Sequence, residues 1–365
     1  MEAKYAIWLS ERIKPATKTM DTLLKFFGSC QAVYNASKSD LISAGVTGEK
    51  ALKALLDKSL DSVADVIADC EKLGVGIIPY GSQEYPARLL NIYAPPALLY
   101  VQGESFEVDD LPLISVVGTR EPTEYGRRAA YELSRKLSLS GFTIVSGLAV
   151  GVDGAALAGA VRGSGSAIGV IGCGHGINYP VENYPLRREI LKRGAVISEY
   201  SPKTPVSKGN FPLRNRIMAG LALGVMVIEA PEKSGALITA KYALEYGRDV
   251  FAVPGNINSY ESVGSNRLVK DGAIAVTNID DIIDEYKNLF PSLGIPPERK
   301  ADKKQEDIEL SEPEKKICAV LEKEPMRIED IMKKTGLNIS QALAALTMLE
   351  VKGKCKAHPY KRFSK

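Results

Sequence analysis

Short apolar runs alternate with amphipathic segments from residue 111 onward. The runs are rich in valine and isoleucine, as in strands that are buried on both faces. They lie at residues 113–117, 142–146, 167–171, 195–199, 224–229, 249–253 and 273–276. Helical spacing of apolar residues recurs between them, as in the helix predicted at 124–140. Alternation of this kind predicts an α/β domain with a mainly parallel sheet and helices on both faces.

The pattern changes on both sides of this domain. In residues 1–70 the pattern predicts short helices at 20–27, 31–37, 40–44 and 49–73. Together they would form an N-terminal module that is similar to a helix-hairpin-helix or a sterile-alpha-motif (SAM-like) bundle. Residues 1–110 carry 15 acidic and 11 basic side chains, so a packing or protein-interaction role is favoured over contact with duplex DNA. Further strands are predicted at 75–79 and 95–101. We therefore predict the main domain at 71–288.

The C-terminal part separates into a linker and a small domain. Residues 289–307 are rich in proline and charge without apolar periodicity, which predicts a flexible linker. Ser311 and Glu314 then fit a capping box, followed by helices predicted at 312–323, 327–335 and 340–351 and a terminal strand, in the order of a winged helix. Only Gln341 near the start of the third helix is a base-reading residue. A protein contact is favoured over base reading for the domain at 308–365.

The segment 113–126 contains the most informative turn. A buried strand ends at Gly118, Thr123 can cap the next helix, and Arg120 lies in the turn between them. Free N–H groups and the positive end of a helix dipole meet at such a turn, which predicts an anion site shared with the Arg120 guanidinium.

Composition narrows the class of protein. The net charge of +3 does not by itself indicate a polyanion partner. The five cysteines are scattered and never form a C-x-x-C pair, which favours a reducing cytosol over a disulfide framework. No apolar run approaches 18 residues, so we predict a soluble, cytoplasmic protein without a membrane segment.

Several kinds of enzyme site are excluded or weakened by the sequence. The chain has no Walker A pattern, no complete dinucleotide fingerprint and no G-x-S-x-G or H-E-x-x-H motif. With only His175 and His358, a histidine metal cluster or triad is nearly excluded. Asp153, Glu199 and Glu229 lie near predicted strand ends, where a capping or salt-bridge role is favoured over catalysis.

Positive charge concentrates at residues 187–216. Eight basic side chains stand there against two carboxylates, with aromatic residues between them, including Tyr179 nearby and Phe211. Cationic groups that contact phosphates, together with aromatic platforms for bases, suit single-stranded nucleic acid. Glycine and proline predict that residues 209–216 form a loop in which two arginines flank an asparagine.

These blocks closely resemble the DNA-processing protein A family (DprA, also called Smf) over about residues 71–285. The matching stretches, with their sequences, are 116–120 (VVGTR), 125–126 (YG), 145–149 (VSGLA), 151–153 (GVD), 179–180 (YP) with Asn183, 197–200 (ISEY), 209–216 (GNFPLRNR), 234–240 (SGALITA) and 247–255 (GRDVFAVPG). The chain departs from the family pattern at Leu157 and at residues 177–178. The resemblance implies an extended Rossmann-like domain between the helical module and the winged helix.

The resemblance also implies a function. It predicts binding and protection of single-stranded DNA, loading of the recombinase RecA during natural transformation, a homodimer, and neither catalytic turnover nor a cofactor. Arg120 matches the family's arginine in the first turn, which contacts DNA phosphate, and Arg214 and Arg216 match its arginine-asparagine-arginine block. The predicted DNA-binding residues are Gly118, Thr119, Arg120, Ser146, Gly147, Tyr179, Arg187, Arg188, Asn210, Phe211, Arg214, Asn215, Arg216, Ser234 and Gly235. The alternatives are a nucleotide N-glycosidic bond hydrolase and a small-nucleotide sensor.

Overall fold

A computed structural model describes residues 2–103, 106, 108–163, 166–294, 311–322, 324–351, 355–358 and 362–364 of the chain. The chain divides into two compact units, Met1–Glu298 and Arg299–Lys365. Most of the predicted linker, residues 295–307, lies outside the described residues.

The first unit begins with six helices. They are α1 (Ala3–Arg12), α2 (Lys18–Phe27), α3 (Cys30–Asn35), α4 (Lys38–Ser43), α5 (Glu49–Leu56) and α6 (Asp61–Leu73). The sequence analysis did not predict α1, and its single helix at 49–73 is wrong. Residues 57–60 interrupt it, where the Trp8 indole N–H donates to the Asp57 carbonyl at 2.9 Å and ties the interruption to α1.

Nine strands form one sheet. They are β1 (Gly76–Pro79), β2 (Leu98–Gly103), β3 (Leu113–Val117), β4 (Thr143–Ser146), β5 (Ala167–Ile171), β6 (Ala195–Ser198), β7 (Gly224–Val227), β8 (Asp249–Ala252) and β9 (Ile274–Ala275). Their order is β1-β2-β6-β5-β4-β3-β7-β8-β9. The pairs β1–β2 and β2–β6 are antiparallel and all others are parallel. The predicted mainly parallel α/β sheet is confirmed, and every strand predicted for it is present. The strands predicted at 113–117 and 167–171 have the predicted bounds, and the others differ at one or both ends.

Helices cover both faces of the sheet. They are α7 (Ala87–Leu90), α8 (Glu124–Leu139), α9 (Val152–Arg162), α10 (Tyr184–Ile190), α11 (Asn210–Leu221), α12 (Gly235–Glu245), α13 (Val263–Lys270) and α14 (Asp280–Tyr286). Alternate residues of β3 enter two hydrophobic clusters, Leu113 and Val117 in one and Ile114 and Val116 in the other. This alternation is the pleat of a strand that is buried on both faces.

The N-terminal helices share a core with the sheet. Trp8, Leu23 and Leu55 belong to the same buried cluster as Leu113 and residues of α11 and α12. The predicted boundary at residue 70 therefore does not separate two hydrophobic cores, and the SAM-like character of the module stays a prediction.

The order of the strands creates a switch point beside β3. From β3 the chain continues to β4, β5 and β6 on one side, and it then returns to place β7 on the other side. In open α/β sheets, ligands bind outside the carboxyl ends of the strands at such a point. The topology thus directs attention to the turns that follow β3 and β7.

The second unit is a small helical domain with its own core. It contains α15 (Glu312–Val320), β10 (Met326–Arg327), α16 (Ile328–Thr335), α17 (Ile339–Val351), β11 (Lys356–His358) and β12 (Arg362–Ser364), and its antiparallel sheet has the order β10-β12-β11. The predicted capping box is present, since the Ser311 amide donates to Glu314 Oε2 at 2.6 Å. Three helices with a terminal β-hairpin confirm the winged-helix prediction.

Among the described residues, no helix has both the length and the apolar character that crossing a membrane would require.

Candidate nucleic-acid interface

A cleft of about 780 Å³ opens at the carboxyl ends of the parallel strands, at the switch point. It is lined by the turn after β3, the start of α11 and the turn that leads from β7 into α12. Its charged lining residues are Arg120, Lys208, Arg214 and Lys233 against one carboxylate, Asp153. The local charge of the cleft is therefore strongly positive, although the net charge of the whole chain is small.

The turn after β3 holds Arg120 in a fixed backbone position. A Cβ atom at Gly118 would lie 2.6 Å from the side chain of Val152, so the close packing of β3 on α9 requires glycine here. The Thr119 amide donates to the Glu229 carbonyl at 2.8 Å, and its own carbonyl accepts from the Val152 amide at 3.1 Å. Gly118 and Thr119 thus line the cleft, and their main role is to hold the backbone that carries Arg120.

The start of α8 is already occupied by a carboxylate of the protein. Thr123 caps α8 as predicted, accepting from the Gly126 amide at 3.1 Å. Its own amide and hydroxyl both donate to the buried Glu229 carboxylate, at 2.9 and 2.6 Å. The expected anion site at this helix terminus is therefore wrong, because Glu229 takes the place of a ligand anion. The carboxylate has the capping role that sequence analysis favoured.

Arg120 lies beside an aromatic pair at the mouth of the cleft. Its side chain is exposed, and the guanidinium carbon lies 5.0 Å from the centroid of the Phe211 ring. The Phe211 ring in turn lies 5.7 Å from that of Tyr179. Among the described residues Arg120 forms no ion pair, so neither Glu121 nor Glu124 holds it. A cation and two rings are thus available to a ligand.

The predicted loop at 209–216 is wrong, because residues 210–221 form α11. Pro212 lies in the first turn of this helix, where a proline removes no intrahelical hydrogen bond. Asn210 begins the helix and donates to the Gly172 carbonyl at 3.0 Å, outside the lining of the cleft. Phe211 and Asn215 line the cleft, and Asn215 also donates to the Gly235 carbonyl at 3.2 Å, which connects α11 to α12.

Arg214 forms part of the cleft floor. It is buried, and it donates to the Val170 carbonyl. A Cβ at Gly147 would collide with its guanidinium, so Gly147 makes room for Arg214 beneath the cleft. Burial lowers the pKa of Arg214, opposed by the nearby charge of Asp153, while burial raises the pKa of Asp153, opposed by Arg214. Ser146 is also buried, where it donates to the Val116 carbonyl at 2.6 Å, and it is not among the residues that line the cleft.

Arg216 does not face the cleft. Its side chain is 1% exposed and forms an ion pair of 2.6 Å with Glu199, whose side chain is 4% exposed. It leaves α11 in a different direction from Arg214 and Asn215, because successive residues of a helix are rotated about its axis. The structure thus places the second arginine of the predicted pair in the protein core, bonded to the residue that follows β6.

The predicted sites at Arg187 and Arg188 also lie outside the cleft. Arg187 is buried and donates to the Gln102 side chain and to the His175 carbonyl, both at 3.0 Å. Arg188 is exposed on α10. The positive run in the sequence is therefore divided by the fold among the cleft, the core and a different surface.

The buried His175 predicts an acid-sensitive stability. Its pKa falls from the ordinary 6.5 to about 4, mainly because of burial, and the positive charge of the neighbouring Arg187 also lowers it. The hydrogen bond with the Tyr100 carbonyl acts in the opposite direction. The unfolded chain takes up a proton below pH 6.5 and the folded chain does not, so stability is lost as the pH falls toward 4. The loss attributable to this group approaches about 3 kcal/mol. Urea unfolding of the wild-type protein and His175→Gln across this range checks it, and equal pH dependence in the two would contradict it.

The start of α12 provides an open helix terminus at the cleft. Ser234 caps it by accepting from the Ala236 amide at 3.2 Å, and both Ser234 and Gly235 line the cleft. Gly235 is exposed and has open space where a side chain would be, so an anion can approach its backbone. Lys233 precedes the cap. The anion site expected at α8 is thus available at α12 instead.

Two cationic residues and one aromatic residue of the cleft lining were absent from the predicted set. Lys208 and Lys233 are exposed cations of its lining, and Tyr260 places a third aromatic ring there. Lys208 belongs to the positive run of the sequence, and Lys233 belongs to a glycine-containing turn at a strand end. The sequence pattern could therefore have indicated both as candidate binding residues. Tyr260 lies in a short 3₁₀ turn, Tyr260–Ser262, and no sequence pattern pointed to it.

The two positions at which the sequence departs from the family pattern lie in different parts of the fold. Leu157 is fully buried in α9, away from the cleft, whereas residues 177–178 directly precede the cleft residue Tyr179. Among the described residues, no group of three or more histidine, cysteine or carboxylate side chains is arranged to hold a metal ion.

Two family models match the chain. That of DNA recombination-mediator protein A matches residues 76–287, and that of the DprA winged helix domain matches residues 301–359. The DNA processing protein DprA of Bacillus subtilis strain 168 is 40% identical over 235 residues, 64% of this chain and 79% of the relative. A putative DNA processing protein DprA of Mycobacterium tuberculosis is 30% identical over 360 residues, 95% of this chain and 90% of the relative.

Solved structures of the same kind are similar in fold. The X-ray structure of DNA processing protein A from Streptococcus pneumoniae has a TM-score of 0.66 and 33% identity, covering 77% of this chain and 97% of that one. A structure of DNA processing protein A from Helicobacter pylori, described for its single-stranded DNA binding mode, has a TM-score of 0.54 and 31% identity. It covers 59% of this chain and 96% of that one.

Proposed function

The chain belongs to the DNA-processing protein A (DprA/Smf) family, and on that premise we propose that it binds single-stranded DNA in the cleft at the switch point of the sheet. The observation that carries this proposal is the exposed Arg120 guanidinium, 5.0 Å from the Phe211 ring centroid, at the mouth of a positively charged cleft. The single-stranded DNA binding mode of the Helicobacter pylori protein supports the choice of this ligand.

The geometry of the cleft supports different contacts for the phosphates and for the bases of a bound strand. Phosphates are contacted by Arg120 on one side and by Lys233 and the start of α12 on the other, because cations and open helix N-termini both favour anions. Bases stack on Phe211 and Tyr179, whose rings lie 5.7 Å apart. Stacking of this kind needs an exposed base face, which an unpaired strand offers and a duplex covers.

We propose that binding proceeds without catalytic turnover. Asp153 is the one carboxylate among the described residues that line the cleft, and it lies buried beside the positive charge of Arg214. General acid–base chemistry on a nucleotide ordinarily uses a pair of groups with separated pKa values, and the cleft offers a single carboxylate. No specific observation favours the nucleotide hydrolase or the nucleotide sensor.

The experiment that tests the proposal is a competition titration. A fluorescent oligo-dT is bound to the full-length chain, and its anisotropy is followed as unlabelled oligo-dT, duplex DNA or free nucleotides are added. We expect unlabelled oligo-dT to compete efficiently and free dTMP to compete poorly, since a nucleotide makes one phosphate contact where a strand makes several. Equal competition by free nucleotides would favour the small-nucleotide sensor.

We further propose that the bound strand is protected and passed to the recombinase RecA during natural transformation. The support is the description of the matching family as a recombination mediator. The test is RecA-dependent strand exchange on DNA coated with a single-strand-binding protein, with and without this chain. Stimulation is expected, and its absence in the presence of demonstrated DNA binding would refute the loading step alone.

We propose a homodimer that uses α12. Ile238 and Leu244 on this helix are 37% and 65% exposed, while Ala240 and Ala243 are buried against the core. A helix that is apolar on both its inner and outer faces is typical of an interface. We expect a dimer mass by light scattering at micromolar concentration and a monomer mass for Leu244→Glu, which places a charge in the contact. A monomeric wild-type protein would refute the proposal.

A further inference from the structure

A second basic depression continues from the cleft along α9. One part, about 620 Å³, is lined by Arg120, Arg127, Arg128 and Tyr131, and a second part, about 650 Å³, is lined by Tyr131, Arg162, Lys192 and Arg193. Arg120 also lines the DNA cleft. Arg120 lines both the cleft and the first depression, and Tyr131 lines both depressions, so the three lie next to one another in this order. We name the two depressions beside α9 the α9 groove.

The groove has a smooth floor. Its floor residues on or beside α9 are small or aliphatic and recur at helical spacing: Gly151, Gly154, Ala155, Ala158 and Val161. Each helical residue rises about 1.5 Å, so the floor from residue 151 to residue 162 spans roughly 16 Å. At the spacing of about 3.4 Å per nucleotide in a stacked strand, this length accommodates up to about five nucleotides.

Cations form the walls of the groove. Arg127 and Arg128 lie on α8 three and four residues after Glu124, on the same helix face as Tyr131. The opposite wall is the segment from residue 182 to residue 193. Of the charged residues that line the groove, six are basic and three are the carboxylates Glu124, Glu182 and Glu189, which gives a net charge of +3.

Most of these cations are available to a ligand. Lys192 donates to Glu189 at 2.8 Å. This hydrogen bond, with the nearby charges of Lys192, Arg162 and Arg188, holds the pKa of Glu189 below its usual value. Within the described part of the chain, Arg127, Arg128, Arg162 and Arg193 form no ion pair. Four exposed guanidinium groups on one path suit a ligand with regularly spaced negative charges.

We infer that the α9 groove is an extension of the binding site, which holds the phosphates of the same single strand after it leaves the cleft past Arg120. This inference rests on the proposed function, and it adds a path for the strand and a larger site size. The ligand is the sugar–phosphate backbone, because the groove offers cations and one aromatic ring, Tyr131, where the cleft offers three.

The test compares two lengths of oligo-dT by fluorescence anisotropy, one of about six nucleotides and one of about fifteen, within the range of single-strand site sizes. Arg127→Gln/Arg128→Gln removes the cations of one wall, and Lys192→Gln/Arg193→Gln removes those of the other. Lys50→Gln/Lys53→Gln, on exposed positions of α5, is the control with the same loss of charge. Melting temperatures of all variants confirm that they fold.

We expect each groove variant to bind the short oligonucleotide as the wild-type protein does and the long one on the order of tenfold more weakly. The salt dependence for the long oligonucleotide should flatten by about 0.7 in slope for each lost phosphate contact. The control variant should match the wild-type protein at both lengths.

The outcomes separate the inference from the function on which it rests. If the wild-type protein binds neither oligonucleotide, the proposed function fails. If it binds both but the groove variants match it at both lengths, or weaken the short oligonucleotide equally, the groove is not an extension of the site and the proposed function stands. A groove that serves an acidic protein partner would give the unchanged result and overturn the inference.

Discussion

Arg216→Ala is expected to lower the free energy of unfolding by about 3–5 kcal/mol, because it leaves the buried carboxylate of Glu199 without its counter-charge. The two side chains are 1% and 4% exposed and 2.6 Å apart, so in the folded protein the guanidinium is the main partner of this carboxylate. The measurement is urea unfolding at neutral pH. Where the variant remains folded, its affinity for oligo-dT should be close to that of the wild-type protein.

A matched double variant separates the ion pair from the individual charges. In Arg216→Leu/Glu199→Leu both charges are replaced by apolar groups, which often restores much of the lost stability. We expect the double variant to be more stable than Arg216→Ala. An Arg216→Ala protein with unchanged unfolding energy and weakened oligo-dT binding would show that Arg216 contacts DNA, as sequence analysis predicted, and that its buried position is not decisive.

Arg120→Ala is expected to weaken binding to a short oligo-dT tenfold or more, about 1.5–3 kcal/mol for a charge-assisted contact. The guanidinium is exposed beside Phe211 and, among the described residues, in no ion pair, so it is free to contact a phosphate. The slope of log affinity against log salt should flatten by about 0.7. Both quantities come from anisotropy titrations at several salt concentrations.

Two further variants are needed to interpret the effect of Arg120→Ala on DNA binding. Arg120→Lys should recover only part of the affinity, because an ammonium group cannot make a bidentate contact or stack on a ring in the same way. Arg188→Ala removes another exposed arginine, which lies outside the cleft, and should leave the short oligonucleotide's affinity unchanged. A lower melting temperature for Arg120→Ala with unchanged affinity and salt slope would mean that the residue only steadies the turn.

The sheet was predictable from the sequence because each strand is indicated by a short run of neighbouring residues. A strand such as residues 113–117 is buried on both faces, and four of its five residues are apolar. The Thr123 cap was likewise predictable, since it depends on a residue three positions away. The interruption of the helix predicted at 49–73 was not, because it depends on a contact between Trp8 and Asp57 that is distant in sequence.

The site was predictable only in part, because burial is decided by the whole fold. Sequence shows Arg187, Arg214 and Arg216 as members of one positive run, but the three side chains lie against His175, under the cleft and beside Glu199, respectively. The start of α8 has the sequence of an anion site, yet Glu229 fills it from 106 positions away. In each case a tertiary partner decides whether a charge is available to a ligand.

Photo-cross-linking of an iodouracil-substituted single strand to the full-length chain, followed by peptide mapping, shows directly where the DNA binds. Iodouracil reacts with aromatic side chains on which it stacks, and the proposed site places bases on Phe211 and Tyr179 at the mouth of the cleft. The expected cross-links lie at these two residues and decrease in Arg120→Ala. Cross-links confined to the winged-helix unit, with none at the cleft, would mean that the cleft is not the DNA-binding site.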